Sequence, residues 1–390
     1  MKFQKQLSIL VLTVLCLSCK KNNALHANNS NNGPIIIETP RYHATKNAEI
    51  VFCLDATGSM SGLIGTAKEK IWDIVSELAQ DGDIDTLKMG MVFYRDIGDA
   101  FVTKQIALTT DLDEAYSELL KINAAGGGDT PESVNQGLQE AVTDMEWSKD
   151  KNTYKTIFVV GDCPPHMDYQ QDVKYTESCK ITAQEGITIN TIKLGNACLE
   201  AIPHFKAMSS CTNGEFLQLD QNAQDIVIAT PYDKDINRLS RNIDDTRMYY
   251  GTVAQRSYNY DKKAKSMAVY ESASATSNSA RAGYKQSKAG QKAAYGSQEI
   301  INDYENGELD LENLTDDKLP NDLKGKSLDE KKKIIQQLAE KRSSDNKKLN
   351  ALLLKKRDYI NKKSKENNSK PSFSQEVLKV MKKQANKKAL

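Results

Sequence analysis

The sequence predicts an α/β fold, a doubly wound and mostly parallel sheet, followed by a helical, partly disordered C-terminal extension. Three observations carry that expectation. Between residues 48 and 230 short apolar runs alternate with segments of helical periodicity, the order that a parallel sheet with crossover helices requires. The runs at 49–54, 156–160 and 187–194 are largely apolar or β-branched at successive positions, as in strands covered on both faces. Beyond residue 230 the chain turns to Ala, Ser, Lys, Gln and Tyr, and then to Lys-rich stretches.

The elements follow in order. The strand at 49–54 stops at Asp55. After it, Leu63, Ile64, Ala67, Ile71, Ile74, Val75 and Leu78 recur at helical spacing and predict an amphipathic helix over 62–80. The runs 87–94 and 101–108 are strands joined by the polar link Arg95-Asp96-Ile97-Gly98-Asp99. A link that short implies a hairpin, hence an antiparallel edge strand. Helices are predicted over 113–122 and 133–145, and strands over 156–160, 187–194 and 216–219. The segment 231–320, and 250–300 above all, shows no convincing period and reads as a weakly ordered or extended linker. In the basic tail, 321–390, Ser327-x-x-Glu330 forms a capping box that opens a long helix. Its apolar stripe, Ile334, Ile335, Leu338, Leu349, Leu352, Leu353 and Ile360, is interrupted around 343–346. A short basic helix over 374–386 carries Val377, Leu378 and Met381 on one side. Both helices need a partner surface or one another.

Charge is distributed unevenly. The net charge of +1 conceals 21 Lys and Arg against 8 Asp and Glu in residues 321–390, near +13, so the preceding chain is acidic. A Lys-rich helical face is usually solvated; contact with anionic lipid is the alternative, and no nucleic-acid partner is expected. At the N-terminus Lys2 and Lys5 precede an apolar run at 7–17 that ends in Leu17-Ser18-Cys19. That is a cleavable targeting segment over 1–19, too short to span a bilayer. Residues 20–47 begin Asn-, Lys- and Ser-rich and read as a flexible tether. The arrangement resembles a bacterial lipoprotein signal, which implies lipidation of Cys19, anchorage to a membrane and a place in the bacterial cell envelope, at the outer membrane or the periplasmic face.

The chain has seven cysteines. With Cys16 and Cys19 assigned to the signal, five remain in what would be an oxidising compartment. Cys53 sits in an apolar strand and reads as a small buried hydrophobe. Cys198 and Cys211 flank a short helical stretch and form the candidate disulfide. No Cys-x-x-Cys or Cys/His spacing for zinc is present.

Ligand sites in a parallel sheet lie beyond the carboxyl ends of its strands, and three loops there carry the chemistry. The first, Asp55-Ala56-Thr57-Gly58-Ser59, places one carboxylate and two hydroxyls in a single turn, the hard oxygen donors that Mg2+ prefers. A capped helix start has the same pattern. The second, Gly126-Gly127-Gly128-Asp129-Thr130-Pro131-Glu132, lets backbone approach an ion closely and leads into a helix. The third, Gly161-Asp162-Cys163-Pro164-Pro165-His166, again finishes a strand with a carboxylate.

Taken in order, these motifs resemble the von Willebrand factor A (vWA) domain family, over roughly residues 48–225. The resemblance implies a Rossmann-like vWA domain over 48–230 with a metal-ion-dependent adhesion site (MIDAS). By that likeness Thr57 and Ser59 would bind the metal directly and Asp55 mainly through water. Thr130 would be the second-loop ligand, with Asp129 as the alternative, and Asp162 would act through water. The implied cofactor is a divalent cation, Mg2+, with Mn2+ or Ca2+ as alternatives. The implied partner is a protein that supplies an Asp or Glu to an open coordination position. His166 reads as a loop-packing residue, and His204 has no partner pattern. No P-loop or Gly-x-Ser-x-Gly elbow appears, so the expectation is a binding protein and not an enzyme. The alternative is a structural envelope scaffold acting through the basic tail.

Overall fold

Alternate side chains of the first strand, β1 (Asn47–Asp55), enter two separate cores. Ala48, Ile50, Phe52 and Leu54 face one, and Val51 and Cys53 face the other. Both faces are dry, so the run is apolar without a period of two. The computed structural model describes residues 46–81, 84–128, 130–221, 225, 227–366 and 372–388. The segment 1–19 with its Cys19, the tether up to residue 45, and Asp129 lie outside the described residues.

After β1 come α1 (Ser61–Asp81), β2 (Thr86–Tyr94), β3 (Thr103–Thr109), α2 (Leu112–Leu120), α3 (Val134–Thr143), β4 (Tyr154–Gly161), α4 (Tyr175–Glu185), β5 (Thr188–Leu194), α5 (Ala201–Ser210) and β6 (Phe216–Leu219). The strands form one sheet in the order β3-β2-β1-β4-β5-β6. Every neighbouring pair is parallel except β2 with β3, as the short link at 95–99 predicts. The order reverses between β1 and β4. Loops diverge there and leave a crevice at the carboxyl edge. Helix α1 supplies Leu63, Ala67, Ile71, Trp72, Val75 and Leu78 to the first core. Leu138, Ala141, Phe205 and Met208, from α3 and α5, close the second.

The expected candidate disulfide Cys198–Cys211 does not form. Cys163 pairs with Cys198, and Cys179 with Cys211, at Cα separations of 5.2 and 5.9 Å. Helix α5 stands between Cys198 and Cys211. Ten helical residues hold their ends about 15 Å apart, beyond the reach of a disulfide. Cys53 is free and buried, as its strand position implies.

The segment 231–320 is not weakly ordered. It forms α6 (Asp233–Asp245), α7 (Val253–Ser272), α8 (Ala275–Lys285), α9 (Lys288–Tyr295) and α10 (Ile300–Glu305). Apolar periodicity fails here because the helices pack through small and polar residues. Ser277, Asn278, Ser279, Arg281 and Lys285 are all buried along α8. Arg281 grips Asp113 of α2 through Nε and Nη2, at 2.5 and 2.7 Å. Lys285 donates to Asp244 of α6 at 2.7 Å, and Asp244 also accepts from the Tyr270 hydroxyl at 2.8 Å. Each interior charge is matched, which buried charges require.

The last two helices are α11 (Leu328–Glu366) and α12 (Phe373–Lys388). The capping box is present, with Glu330 N donating to Ser327 Oγ and Ser327 N to the Glu330 carboxylate. Helix α11 runs through 343–346 without a break. There the apolar stripe gives way to Arg342, which makes two parallel bonds to buried Glu299, at 2.9 and 3.0 Å, and a third to Thr246 Oγ1. Helix α12 seats Phe373, Val377, Val380 and Met381 in the first core. Its Gln384 bonds Tyr154 and Asn190 at the opposite edge of the sheet from the crevice.

Two outcomes follow for stability. Arg342→Ala strands Glu299 as a buried, unpaired charge and is expected to cost about 3–5 kcal/mol in urea unfolding; a loss under about 1 kcal/mol would refute a buried pair. Burial alone would raise the Asp244 carboxyl, but the charges of Lys285, Arg247 and Arg281 outweigh it and hold the group at about 2, against an ordinary 3.8. Asp113 is held low in the same way by Arg281 and Lys285 against the effect of burial. A carboxylate depressed on folding stabilises above its unfolded value and loses that contribution as pH falls through the folded one. Urea midpoints are therefore expected to drop steeply from about pH 4 to about pH 2, and a flat profile there would contradict the network.

Candidate metal centre

Leu54 lies opposite Val160 in register, so Asp55 and Gly161 end neighbouring parallel strands side by side. A Cβ on Gly161 would stand 3.4 Å from Asp55 Oδ2. The chain turns sharply after Asp55, and the carboxylate closes the turn: Asp55 Oδ1 accepts from Thr57 N at 2.8 Å and from Thr57 Oγ1 at 2.6 Å. Thr57 Oγ1 and Ser59 Oγ are 3.2 Å apart. Because Thr57 spends its proton on Asp55, its lone pairs remain available to an electrophile. Asp55 Oδ2 is buried and has no hydrogen-bond partner. Burial pushes the Asp55 carboxyl up to about 7; the Thr57 bonds oppose this, and the neighbouring Asp162 and Asp99 add to it.

The glycine loop is strapped to this turn. Gly58 N donates to Gly126 O at 3.0 Å and Ala125 N to Ala56 O at 3.1 Å. Gly126 and Gly127 both take φ +82°, a region open to glycine at little cost. A Cβ on Gly126 would fall 2.2 Å from Asp99 Oδ1. Asp99 Oδ2 in turn accepts from Gly127 N at 3.1 Å. Arg95 completes the strap, donating from Nε to Ala56 O at 3.0 Å and from Nη2 to Asn123 O at 2.6 Å. Thr130 lies exposed at the end of the loop.

Glu132, two residues on, is only 4% exposed. Its backbone ties the second loop to the third, with Glu132 N donating to Pro164 O at 2.9 Å and His166 N to Glu132 O at 3.1 Å. Its Oε2 is buried without a partner. Burial, then Asp55, Asp96, Asp162 and Asp99, push its carboxyl up to about 9. In the third loop Asp162, also buried, accepts from Gln221 Nε2 at 2.9 Å through Oδ2, while Oδ1 has no partner. His166 is a packing residue, as expected. Its ring stacks on Tyr169 with 3.7 Å between centroids, and Nδ1 lies 2.9 Å from Asp168. Asp96 accepts from Ser133 Oγ and the Tyr169 hydroxyl, both at 2.9 Å.

The structure thus draws Asp55, Thr57, Ser59 and Asp162 together at the crevice and leaves Thr130 at the surface. Asp129, the alternative second-loop ligand, falls outside the described residues. Sequence reasoning missed Glu132, Asp99, Arg95 and Gln221. Glu132 carried a signal, an acid that follows the Gly-rich loop and proline just ahead of α3; Gln221 carried none. The donors are mixed hydroxyl and carboxylate oxygens with three buried acceptor atoms left over, a set that suits a hard divalent cation. Among the described residues no group of three His, Cys, Asp or Glu side chains forms a ready-made cage, so hydroxyls are needed to complete any shell.

Comparison with known proteins agrees with this architecture. A family model described as the von Willebrand factor A domain matches residues 49–219. Together with the sheet order and the three loops, that match makes this segment a vWA domain. A putative ariadne-like RING finger protein of Acanthamoeba polyphaga mimivirus is 23% identical over 198 residues, 47% of this chain. The chain spans 19% of that relative's length. Similar solved structures include proximal thread matrix protein 1 from the mussel byssus with a zinc-occupied MIDAS motif, at 14% identity and TM-score 0.34, over 45% of this chain and 42% of that one. The pilus adhesin SpaC from Lactobacillus rhamnosus GG, in its open conformation, aligns at 11% identity and TM-score 0.35, over 45% of this chain and 28% of that one. A von Willebrand factor type A structure from Catenulispora acidiphila aligns at 14% and 0.34, over 45% and 39%.

The Cys163–Cys198 bridge follows Asp162 directly and closes a sequence separation of 35 residues. Replacing both cysteines with serine is expected to cost about 3–4 kcal/mol of stability, read as a shift in urea midpoint. Loss of that size with an unchanged midpoint under reductant would show that the bridge does not form in solution.

Proposed function

We propose that this chain is a cell-envelope lipoprotein whose vWA domain binds a protein partner through a divalent cation. The observation that carries the reading is the pair of buried, unpartnered oxygens Asp55 Oδ2 and Asp162 Oδ1 beside the Thr57 and Ser59 hydroxyls. A buried carboxylate oxygen without a donor is costly, and a cation satisfies both at once. Thr57, Ser59, Asp55 and Asp162 would hold the ion, with Mg2+ the first expectation and Mn2+ or Ca2+ the alternatives. The ion supplies Lewis acidity toward an Asp or Glu of the partner, and the chain orients it by the Asp55–Thr57 bonds and the Asp162–Gln221 bond. vWA domains generally mediate protein–protein contact, which favours binding over catalysis here.

Two disulfides favour an oxidising compartment, in keeping with the lipoprotein-like segment that ends at Cys19. The alternative, a scaffold acting through the basic tail, has less behind it. The apolar side of α12 is inside the core, and Lys383 and Lys382 pair with Glu215 and Glu77.

Titrating metal-free protein with Mg2+ or Mn2+ is expected to raise its Tm, by an amount equivalent to about 2.7 kcal/mol at a hundredfold excess over Kd. Asp55→Ala with Asp162→Ala should abolish the increment. An increment that survives the double substitution, or none in the parent, counts against the metal reading. Capture of a partner from envelope extracts should be lost with chelator.

A further inference from the structure

We propose that Glu132 is a third carboxylate of the cation site, a resident acidic donor that works with Asp55, Asp162 and the Thr57 and Ser59 hydroxyls to hold a hard divalent cation. The proposal rests on the metal reading above and adds to it a residue that the vWA resemblance does not supply.

Placement argues for it first. The position a Cβ on Gly127 would take is 3.1 Å from Thr57 Cβ and 3.6 Å from Glu132 Oε1. The Glu132 carboxylate and the Thr57 side chain therefore lie against the same bare glycine backbone. Its main chain cannot drift, since Pro164 O and His166 N bracket it on the third loop. Burial argues second. Glu132 is 4% exposed and its Oε2 has no partner, as is true of the Asp55 and Asp162 oxygens. Neither Arg95 nor Lys193 donates to it. Arg95 donates to Ala56 O and Asn123 O. Lys193 is fully buried and donates to the carbonyls of Leu194, Gly195 and Ala197. Ordinarily a glutamate just ahead of a helix faces solvent. Glu132 instead turns inward to an acid cluster, which is unfavourable unless something positive sits between the acids. The three carboxylates form no ready-made cage by themselves, so the hydroxyls complete the shell, and Glu132 adds a charged ligand that raises affinity for such cations.

Glu132→Gln keeps the shape and removes the charge. Binding of Mn2+ to the full, disulfide-intact chain, followed by electron paramagnetic resonance of the free ion, is expected to weaken by about tenfold or more, while the metal-free Tm stays level or rises. A merely structural, protonated Glu132 would be replaced by Gln with no change in Mn2+ affinity, and that result overturns the proposal. Asp55→Asn is measured in parallel. If it weakens Mn2+ while Glu132→Gln does not, only this proposal fails; if the parent binds no Mn2+, the metal reading and the proposal fail together.

Discussion

Carboxylates that face one another out of water cannot all stay ionised without a cation among them. At the carboxyl edge of this sheet Asp55, Asp162 and Glu132 are all at most 5% exposed, and the surrounding architecture brings them closer, not apart. Parallel pairing of β1 with β4 sets Asp55 beside the start of the third loop. The backbone bridge from Glu132 to Pro165 pulls the second loop onto the third. Arg95, threaded between the first two loops, is directed at carbonyls and so fixes backbone. Burial first, and the neighbouring acids second, raise the proton affinity of Asp55 and Glu132. Protons relieve that cost in the metal-free chain, and the cation proposed for the site would relieve it in their place.

Precision at such a site depends on what stands behind it. Helix α1 begins two residues after Ser59, and the turn at Gly58–Met60 leads straight into it. One side of α1 packs on the sheet, while Val269, Ala280 and Tyr284 of the helical extension and Phe373, Val377 and Met381 of α12 share the same core. Gln80 Nε2 reaches Gly283 O at 2.9 Å. A helix clamped on both sides holds the hydroxyl turn as a rigid element, as a binding site needs. The extension therefore serves the site at a distance. Its polar interior, with Arg281 on Asp113 and Arg342 on Glu299, makes that clamp directional, because each guanidinium fork accepts its carboxylate in one geometry.

Much of the sheet was legible because it obeys simple patterning. Apolar runs with both faces buried, helical spacing at 63–78 and the short 95–99 link all translated directly into β1, α1 and the β2–β3 hairpin. Asp55, Thr57, Ser59 and Asp162 were legible for a related reason: strand ends point to one edge, so chemistry placed at strand ends must converge. The helices over 231–320 were not legible, since small and polar residues such as Ser277, Ser279 and Arg281 form their interior and erase the apolar period. The disulfides failed differently. Sequence proximity suggested Cys198 with Cys211, but the rigid α5 between them decided the pairing. Glu132, two residues beyond Thr130, was not legible as a donor, because its burial comes from the tie between the second and third loops and not from its local sequence.

Counting charge sharpens what the site does. On the proposed metal reading, two carboxylates would formally neutralise a divalent ion while acting largely through water, and the ion would stay electrophilic toward a partner's carboxylate. With Glu132 included, the shell carries one negative charge in excess of the ion. An incoming carboxylate then meets repulsion unless Glu132 withdraws as it arrives. Glu132 is bound by its backbone to the third loop, whose conformation is itself tied to the β5 loop through Cys163 and Cys198. On the proposed reading, partner binding would thereby be coupled to the arrangement of those two loops. Discrimination among acidic partners would then come from the cost of displacing Glu132, a term that any true ligand must outbid and a stray carboxylate in solution cannot.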